Sequence, residues 1–287
     1  PPPSRLRALI GIPSLEARAK RLGERLNTAD GRAYSSASSL RVAVDVIAPR
    51  LDVVFVHPAE ASGAAERDPA DLLKAVLDSP DVGHAEPNCR IRVDDPVRGD
   101  TGVRAQVAAT ADAVPWGLDR IDARLGRDGI FSAGENRGAG VDIYVVDTGV
   151  LGSHQEFASQ AGDGGSRVRP GWAAGLGWPW APDGVIEAPA PGTSGTGCSP
   201  HGTHCASTAA GATLGVANDA LIIPVQVLHC EGDGFLGDVI AGLEWTMGQA
   251  ATSGRPSVLS MSIGGGRSAL MNAMVARAHR EGLVVVA

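Results

Sequence analysis

Asp147 and His201 are the residues of this chain best placed to do chemistry, and each stands at a break between two kinds of sequence. His201 opens the stretch Pro200-His201-Gly202-Thr203-His204-Cys205-Ala206-Ser207-Thr208-Ala209-Ala210-Gly211. Pro200 has no backbone N–H and suits the first position of a helix. The residues after it are small apart from the two histidines, and Gly211 is a stop signal. The pattern predicts a short buried helix, slim enough for its backbone to press against a sheet. The first turn of a helix disfavours an imidazolium. A base at His201 therefore calls for an anionic partner that holds its tautomer and stabilises its charged form.

That partner is suggested upstream. Val141-Asp142-Ile143-Tyr144-Val145-Val146 is an apolar, β-branched run bounded by Gly140 and by Asp147-Thr148-Gly149. Such a run predicts a buried parallel strand. Its carboxyl end delivers Asp147 to the edge where open α/β sheets carry their sites. An aspartate at a strand end and a histidine at a later helix start are two of the three parts of a Ser-His-Asp triad. There the imidazole takes the proton from an attacking alcohol. The plain alternative makes Asp147 a helix cap. His204, three residues from His201, reads as a structural histidine hydrogen-bonded in the core.

Other chemistries compete for the same residues. Cys198, His201, His204 and Cys205 have metal-ligand types at tight spacing. Against a metal site, His201 and His204 cannot both be ligands without turning one away from Asp147, and no second ligand pair with zinc-finger spacing follows. Cys205 as a nucleophile would lie one turn below its own base, among small residues, where a cysteine behaves as a core hydrophobe. A second Asp-Thr-Gly, Asp100 to Gly102, raises an aspartic-protease dyad. No apolar strand precedes Asp100, and that reading fails.

Three motifs occur in one order: IYVVDTG (Ile143 to Gly149), HGTHCAS (His201 to Ser207) and LSMSIGGG (Leu259 to Gly266). Together they resemble the subtilisin-type serine proteases, nearest the proteinase K branch. VPWGLDRID (Val114 to Asp122) is similar to the start of a mature enzyme of that branch, and GVLGSHQEF (Gly149 to Phe157) to the stretch after its Asp. The resemblance covers residues from about 113 to the end, with a weaker one to subtilisin propeptides before it. It implies a serine endopeptidase that hydrolyses polypeptide substrates through Asp147, His201 and a serine. It also implies that Ser262-Ile263-Gly264 lines the pocket for the residue before the scissile bond. Gly232-Asp233-Gly234 matches the segment that pairs with extended substrate backbone, its glycines permitting close approach.

The same resemblance implies a Cys198–Cys230 disulfide, because some relatives carry a cysteine pair at these motif-adjacent positions. Two free thiols are the alternative, and Cys89 and Cys205 are left unpaired. A disulfide points to an oxidising compartment, either secreted or in an endomembrane or vacuolar lumen. No cofactor is implied for the chemistry and no metal among the site residues. Structural calcium is common in the family, with no ligand set placed in this chain. In the family the nucleophile lies in a GTS-M-A motif well downstream, and an oxyanion asparagine follows a strand like Gly282 to Ala287. The expectation is a fragment, itself inactive, with both residues beyond Ala287 and the natural N-terminus also elsewhere. The reading from another class is a non-catalytic subtilase-like binding module that retains its propeptide.

Composition limits the rest. A net charge of -7 over 287 residues argues against a nucleic-acid partner. No apolar run approaches the roughly 20 residues of a membrane span. Four cysteines in so long a chain do not make a disulfide scaffold. With 38 glycines and 4% aromatic residues, the chain suits a tightly turned α/β protein better than an aromatic binding surface.

The order of elements gives the frame. Residues 1–95 read as strand (Leu6 to Ile12), helix (Ser14 to Leu26), two strands (Leu40 to Ile47, Leu51 to Val56), helix (Asp68 to Leu77) and an extended stretch (Val82 to Val93). This βαββαβ order is ferredoxin-like, and subtilisin propeptides share it. The segment is expected to be a propeptide acting as intramolecular inhibitor of a monomer. Residues 96–113 read as a linker holding the processing region. From 114 to 287 strand and helix alternate: strand Leu221 to Leu228, helix Leu236 to Met247, strand Ser257 to Ile263, helix Ser268 to His279, strand Leu283 to Val286. That order predicts a doubly wound parallel sheet, the first part of a peptidase domain. The Gly/Pro/Trp-rich stretch from Gly162 to Thr196 shows no period and reads as a surface loop.

Overall fold

The computed structural model describes residues 15–28, 42–48, 53–58, 74–80, 82–93, 114–122, 124–159, 164–175, 181–186 and 199–287. The chain divides into two compact units, Pro1–Pro87 and Asn88–Ala287. In the first, α1 (Leu15–Thr28) is followed by β1 (Val42–Ala48) and β2 (Val53–Pro58), an antiparallel pair with Val44 opposite Val56. Residues 74–77 are helical. Leu22 of α1 and Val76 are buried together, with Val54 and Val56 packed on them. The strand expected at Leu6 to Ile12 lies outside the described residues, as do most of the helix from Asp68, the 96–113 linker and Asp100.

The second unit begins with β3 (Arg90–Val93) and α2 (Trp116–Asp122). Then come β4 (Asp142–Asp147), β5 (Gly171–Gly175), β6 (Ala181–Ile186), α3 (Pro200–Ala210), β7 (Leu221–Gln226), β8 (Asp233–Phe235) and α4 (Leu236–Ser253). The unit continues through β9 (Ser257–Met261), β10 (Ile263–Gly265), α5 (Ala269–Arg280) and β11 (Val284–Val286). Six strands form one sheet in the order β11-β9-β4-β7-β5-β6, and three form another in the order β10-β3-β8. In the large sheet all neighbours are parallel except β5 and β6.

β4 is central, and every residue in it is buried. Its alternation divides the two faces, since successive side chains of a strand point to opposite sides. Ile143 and Val145 join Ala206 and Ala210 of α3 and Ile222 of β7 in one apolar cluster. On the other face the Tyr144 ring meets Trp245 of α4 edge-on, with ring centroids 6.3 Å apart. The small residues of α3 allow its backbone this close.

The structure corrects the Gly162 to Thr196 loop. That stretch contributes β5 and β6 to the large sheet, and Trp172 is buried. Gly-Trp-Ala-Ala-Gly carries little strand propensity. What holds it is tertiary packing: a Cβ added to Gly242 of α4 would come within 3.2 Å of the Trp172 ring. The strand expected from Ser257 to Ile263 divides after Met261, and its last part leaves the large sheet as β10. Beyond the expected Met247, α4 runs on to Ser253 and stops at Gly254, whose φ of 62° suits a residue without a Cβ.

Candidate active site

The end of β4 and the first turn of α3 meet at Asp147 and His201. His201 Nδ1 lies 2.8 Å from Asp147 Oδ1 and 2.9 Å from Oδ2. Asp147 is fully buried, whereas His201 keeps part of its ring at the surface. The carboxylate can only accept, so Nδ1 is the donor and Nε2 is the nitrogen left to act as a base. The Thr148 backbone N–H also donates to Asp147 Oδ1, at 2.6 Å.

Local sequence explains why the two side chains meet. A Cβ on Gly202 would run into the Gly149 carbonyl oxygen and crowd Asp147 Oδ1, so only glycine lets the helix start sit this close. The Gly202 N–H donates to Thr148 Oγ1 at 3.0 Å, and the Leu151 N–H to Thr203 Oγ1 at 2.9 Å. The Asp-Thr-Gly and His-Gly-Thr triplets thus fasten to each other through their own hydroxyls and amides. At the far end of α3, buried Glu156 accepts from the Thr213 and Leu214 N–H groups, each at 3.0 Å, and from the Thr213 hydroxyl. Burial alone would raise its carboxyl, but those three donors, helped by His154, hold it below its ordinary value. Sequence reasoning missed this staple because a lone glutamate carries no pattern.

The neighbouring histidine departs from expectation. His204 is exposed, not bonded in the core; it shares the outer stripe of α3 with Thr208, whose hydroxyl donates to the His204 carbonyl. Being three residues from His201 turned it away from the sheet. Cys205 is half-buried against the apolar cluster, with its Sγ 3.8 Å from His201 Nδ1. Burial pushes its thiol up, and the Asp147 carboxylate adds to the rise against a hydrogen bond from Ser262. A protonated thiol is a poor nucleophile. Possible ligand atoms of Asp147, His201 and Cys205 lie within 4.8 Å of one another. A metal there would compete for the Nδ1 that Asp147 already holds. Cys198 lies outside the described residues, while Cys89 and Cys205 are free.

The other residues expected at the site gather around β3. It lies between β8 and β10, antiparallel to both. Ile91 stands opposite Gly234 on one side and Gly265 on the other, Arg92 opposite Asp233 and Gly264, and Val93 opposite Ile263. The Val93 N–H donates to the Gly232 carbonyl at 2.9 Å. Ser262 falls between β9 and β10, outside both ladders. Ile91 is buried and lines a cavity of ≈ 620 Å³ with Leu236, Met261, Met271 and Val275. Just before β3, the Cys89 carbonyl accepts from the Leu236 N–H at 2.9 Å and Asn88 Oδ1 from the Gly237 N–H at 2.8 Å. These bonds satisfy the start of α4, whose own N-cap Phe235 has no side-chain acceptor. The partnership of β3 with these segments went unread: Arg-Ile-Arg-Val alternates as a strand should, but nothing in it names its neighbours.

A parallel sheet whose central strand ends in a buried aspartate, with a histidine at the start of the helix packed on it, is the arrangement of subtilisin-type peptidases. The sequence pattern of the subtilase family matches residues 138–287. The chain belongs to the subtilase family. It is 37% identical over 232 residues to an extracellular serine proteinase of Thermus sp. (strain Rt41A), covering 80% of this chain and 47% of that protein. To the alkaline serine exoprotease A of Vibrio alginolyticus it is 34% identical over 235 residues, covering 82% and 38%. Among solved structures, a cold adapted subtilisin-like serine proteinase superposes with a TM-score of 0.50 at 34% identity, over 60% of this chain and 55% of that one. The chain spans about half the length of the curated relatives it matches.

Proposed function

We propose that the whole protein is a serine endopeptidase in which His201 is the general base and Asp147 its orienting carboxylate in an Asp-His-Ser triad. The single observation that carries this is the pairing of His201 Nδ1 with both oxygens of a buried carboxylate. Held so, the ring presents Nε2 as base, takes the proton from an attacking serine, and returns it to the leaving amine. The ionised Asp147 stabilises the imidazolium between those two transfers. The serine nucleophile and the oxyanion asparagine are proposed to follow residue 287, as the family resemblance implies and the greater length of the relatives allows.

Polypeptides are the substrates of this reading. In this reading one binds as an added strand between Gly232-Asp233-Gly234 and Ser262-Ile263-Gly264, and the pairing of β3 with β8 and β10 supports it. Residues 1–95 are then a propeptide, 96–113 the stretch that is cut, and the chain's own β3 an inhibitor in cis. Secretion is proposed by likeness to the extracellular serine proteinase of Thermus sp.. Among the described residues no helix is long and apolar enough to cross a membrane. A Cys198–Cys230 bridge belongs to the same proposal; in its favour, Cys89 and Cys205 are free while Cys230 is not.

Expression of the complete coding sequence tests the reading. The product should hydrolyse casein and react with a fluorophosphonate probe, and His201→Ala should abolish both. A complete chain that contains GTS-M-A, folds, and neither hydrolyses nor labels would sink it.

A further inference from the structure

We propose that Asp233 makes the groove between β8 and β10 selective for extended peptides of alternating basic and apolar residues. A cation would stand at the places of Arg90 and Arg92, on either side of an apolar residue at the place of Ile91. This rests on the proteolytic reading above, in which β3 occupies the substrate's position.

Pairing sets the frame. The backbone bonds of an added strand give affinity whatever the sequence, so selectivity must come from side chains. Ile91 faces glycines on both flanks, and its Cδ1 lies 2.5 Å from where a Cβ on Gly265 would be. One face of the peptide is therefore read by shape alone. Arg90 and Arg92 belong to the other face. There Arg92 stands directly opposite Asp233, and Arg90 lies on the diagonal with its Nη2 2.6 Å from Asp233 Oδ2. Opposite and diagonal neighbours in an antiparallel pair interact through their side chains. β8 is Asp-Gly-Phe and β10 is Ile-Gly-Gly, so Asp233 is the one charged side chain these two strands offer an incoming peptide. Arg90 is largely exposed and Asp233 is not, which leaves the attraction partly screened by water and salt. The selectivity is modest in size and electrostatic in origin.

The test uses the full-length, processed protein and fluorogenic peptides with Arg-Ile-Arg or Glu-Ile-Glu at the three places. The kcat/KM ratio should favour Arg-Ile-Arg by roughly tenfold at low salt, since the opposite and the diagonal neighbour of Asp233 both change sign. That ratio should fall toward one in Asp233→Asn, invert in Asp233→Lys, and shrink in about 0.5 M salt. Fluorescence anisotropy with labelled peptides that end at the place of Val93 reads the same preference without turnover. Hydrolysis with a ratio near one, unchanged in Asp233→Lys, overturns the charge proposal and leaves the proteolytic reading standing. The binding preference without hydrolysis supports the proposal while the proteolytic reading fails. Neither hydrolysis nor a binding preference overturns both.

Discussion

At the corner where β4 meets α3, nearly every contact that matters passes through a side chain: Asp147 to His201, Thr148 to Gly202, Thr203 to Leu151. In the groove between β8 and β10 the contacts that matter pass through backbone, with glycines at Gly232, Gly234, Gly264 and Gly265 and one charge at Asp233. The first region is built on the fully buried Asp147, and its side-chain bonds admit one arrangement of atoms. The second holds β3 between two short strands, and in the proposed reading it accepts a substrate strand there and grades its side chains. A reaction needs fixed geometry, whereas a surface that takes many peptides needs repeatable pairing, and the proposed function assigns the two demands to the two regions.

The largest effect that could break this contrast is at Asp147. Asp147→Asn keeps the shape but lets the amide present the wrong hydrogen-bonding face to Nδ1. In a full-length enzyme kcat should fall by about 10⁴, the loss known for the equivalent change in a Ser-His-Asp protease. KM for a peptide should move little, because the groove is built elsewhere. An equal loss from Asp233→Asn would erase the distinction between the two regions.

Next comes Gly202→Val. Its Cβ would meet the Gly149 carbonyl and crowd Asp147, so α3 must shift or the corner must open. Overpacking of this kind costs about 1–3 kcal/mol, read as a lower denaturant midpoint, and the His201–Asp147 distance would no longer be held. Gly234→Val on the groove side would press on the Val227 carbonyl and the Leu228 side chain. It should weaken peptide binding, seen in KM, with a smaller effect on kcat. If both substitutions act on kcat alone, the two regions are one machine and the contrast is wrong.

What could be read from sequence follows the same division. The corner is made of unusual residue types at fixed spacing, and Asp147, His201 and the buried run of β4 were therefore visible in the letters alone. The strand-helix alternation after Gly140 was visible for the same reason: long apolar runs such as Leu221 to Val227 have one physical solution. The strand status of Gly171–Gly175 was not, since Trp172 is held by a hollow over Gly242 that exists only in three dimensions. His204 shows the limit from the other side. A histidine one turn along from His201 looked structural, yet its place on α3 carried it to the outer surface. Ladder partners of β3 could not be read at all, because hydrogen bonds between backbones leave no mark on residue type.

The smallest effect concerns Cys89 and Cys205, the cysteines free among the described residues, one in each region. Cys89 is exposed beside β3, and Cys205 is half-buried under His201. Burial, with Asp147 adding to it, raises the Cys205 thiol above its ordinary 9.0. A group raised in this way holds its proton at neutral pH and yields thiolate only as the pH climbs past that ordinary value. Iodoacetamide at pH 7.5 should therefore label Cys89 first, with Cys205 following only as the solution becomes strongly alkaline; peptide mapping by mass spectrometry reads the order. Modification confined to Cys89 should leave the chemistry of the Asp147–His201 pair untouched. Rapid labelling of Cys205 at neutral pH would mean that the corner is open to water, and the tight geometry on which the contrast depends would have to be given up.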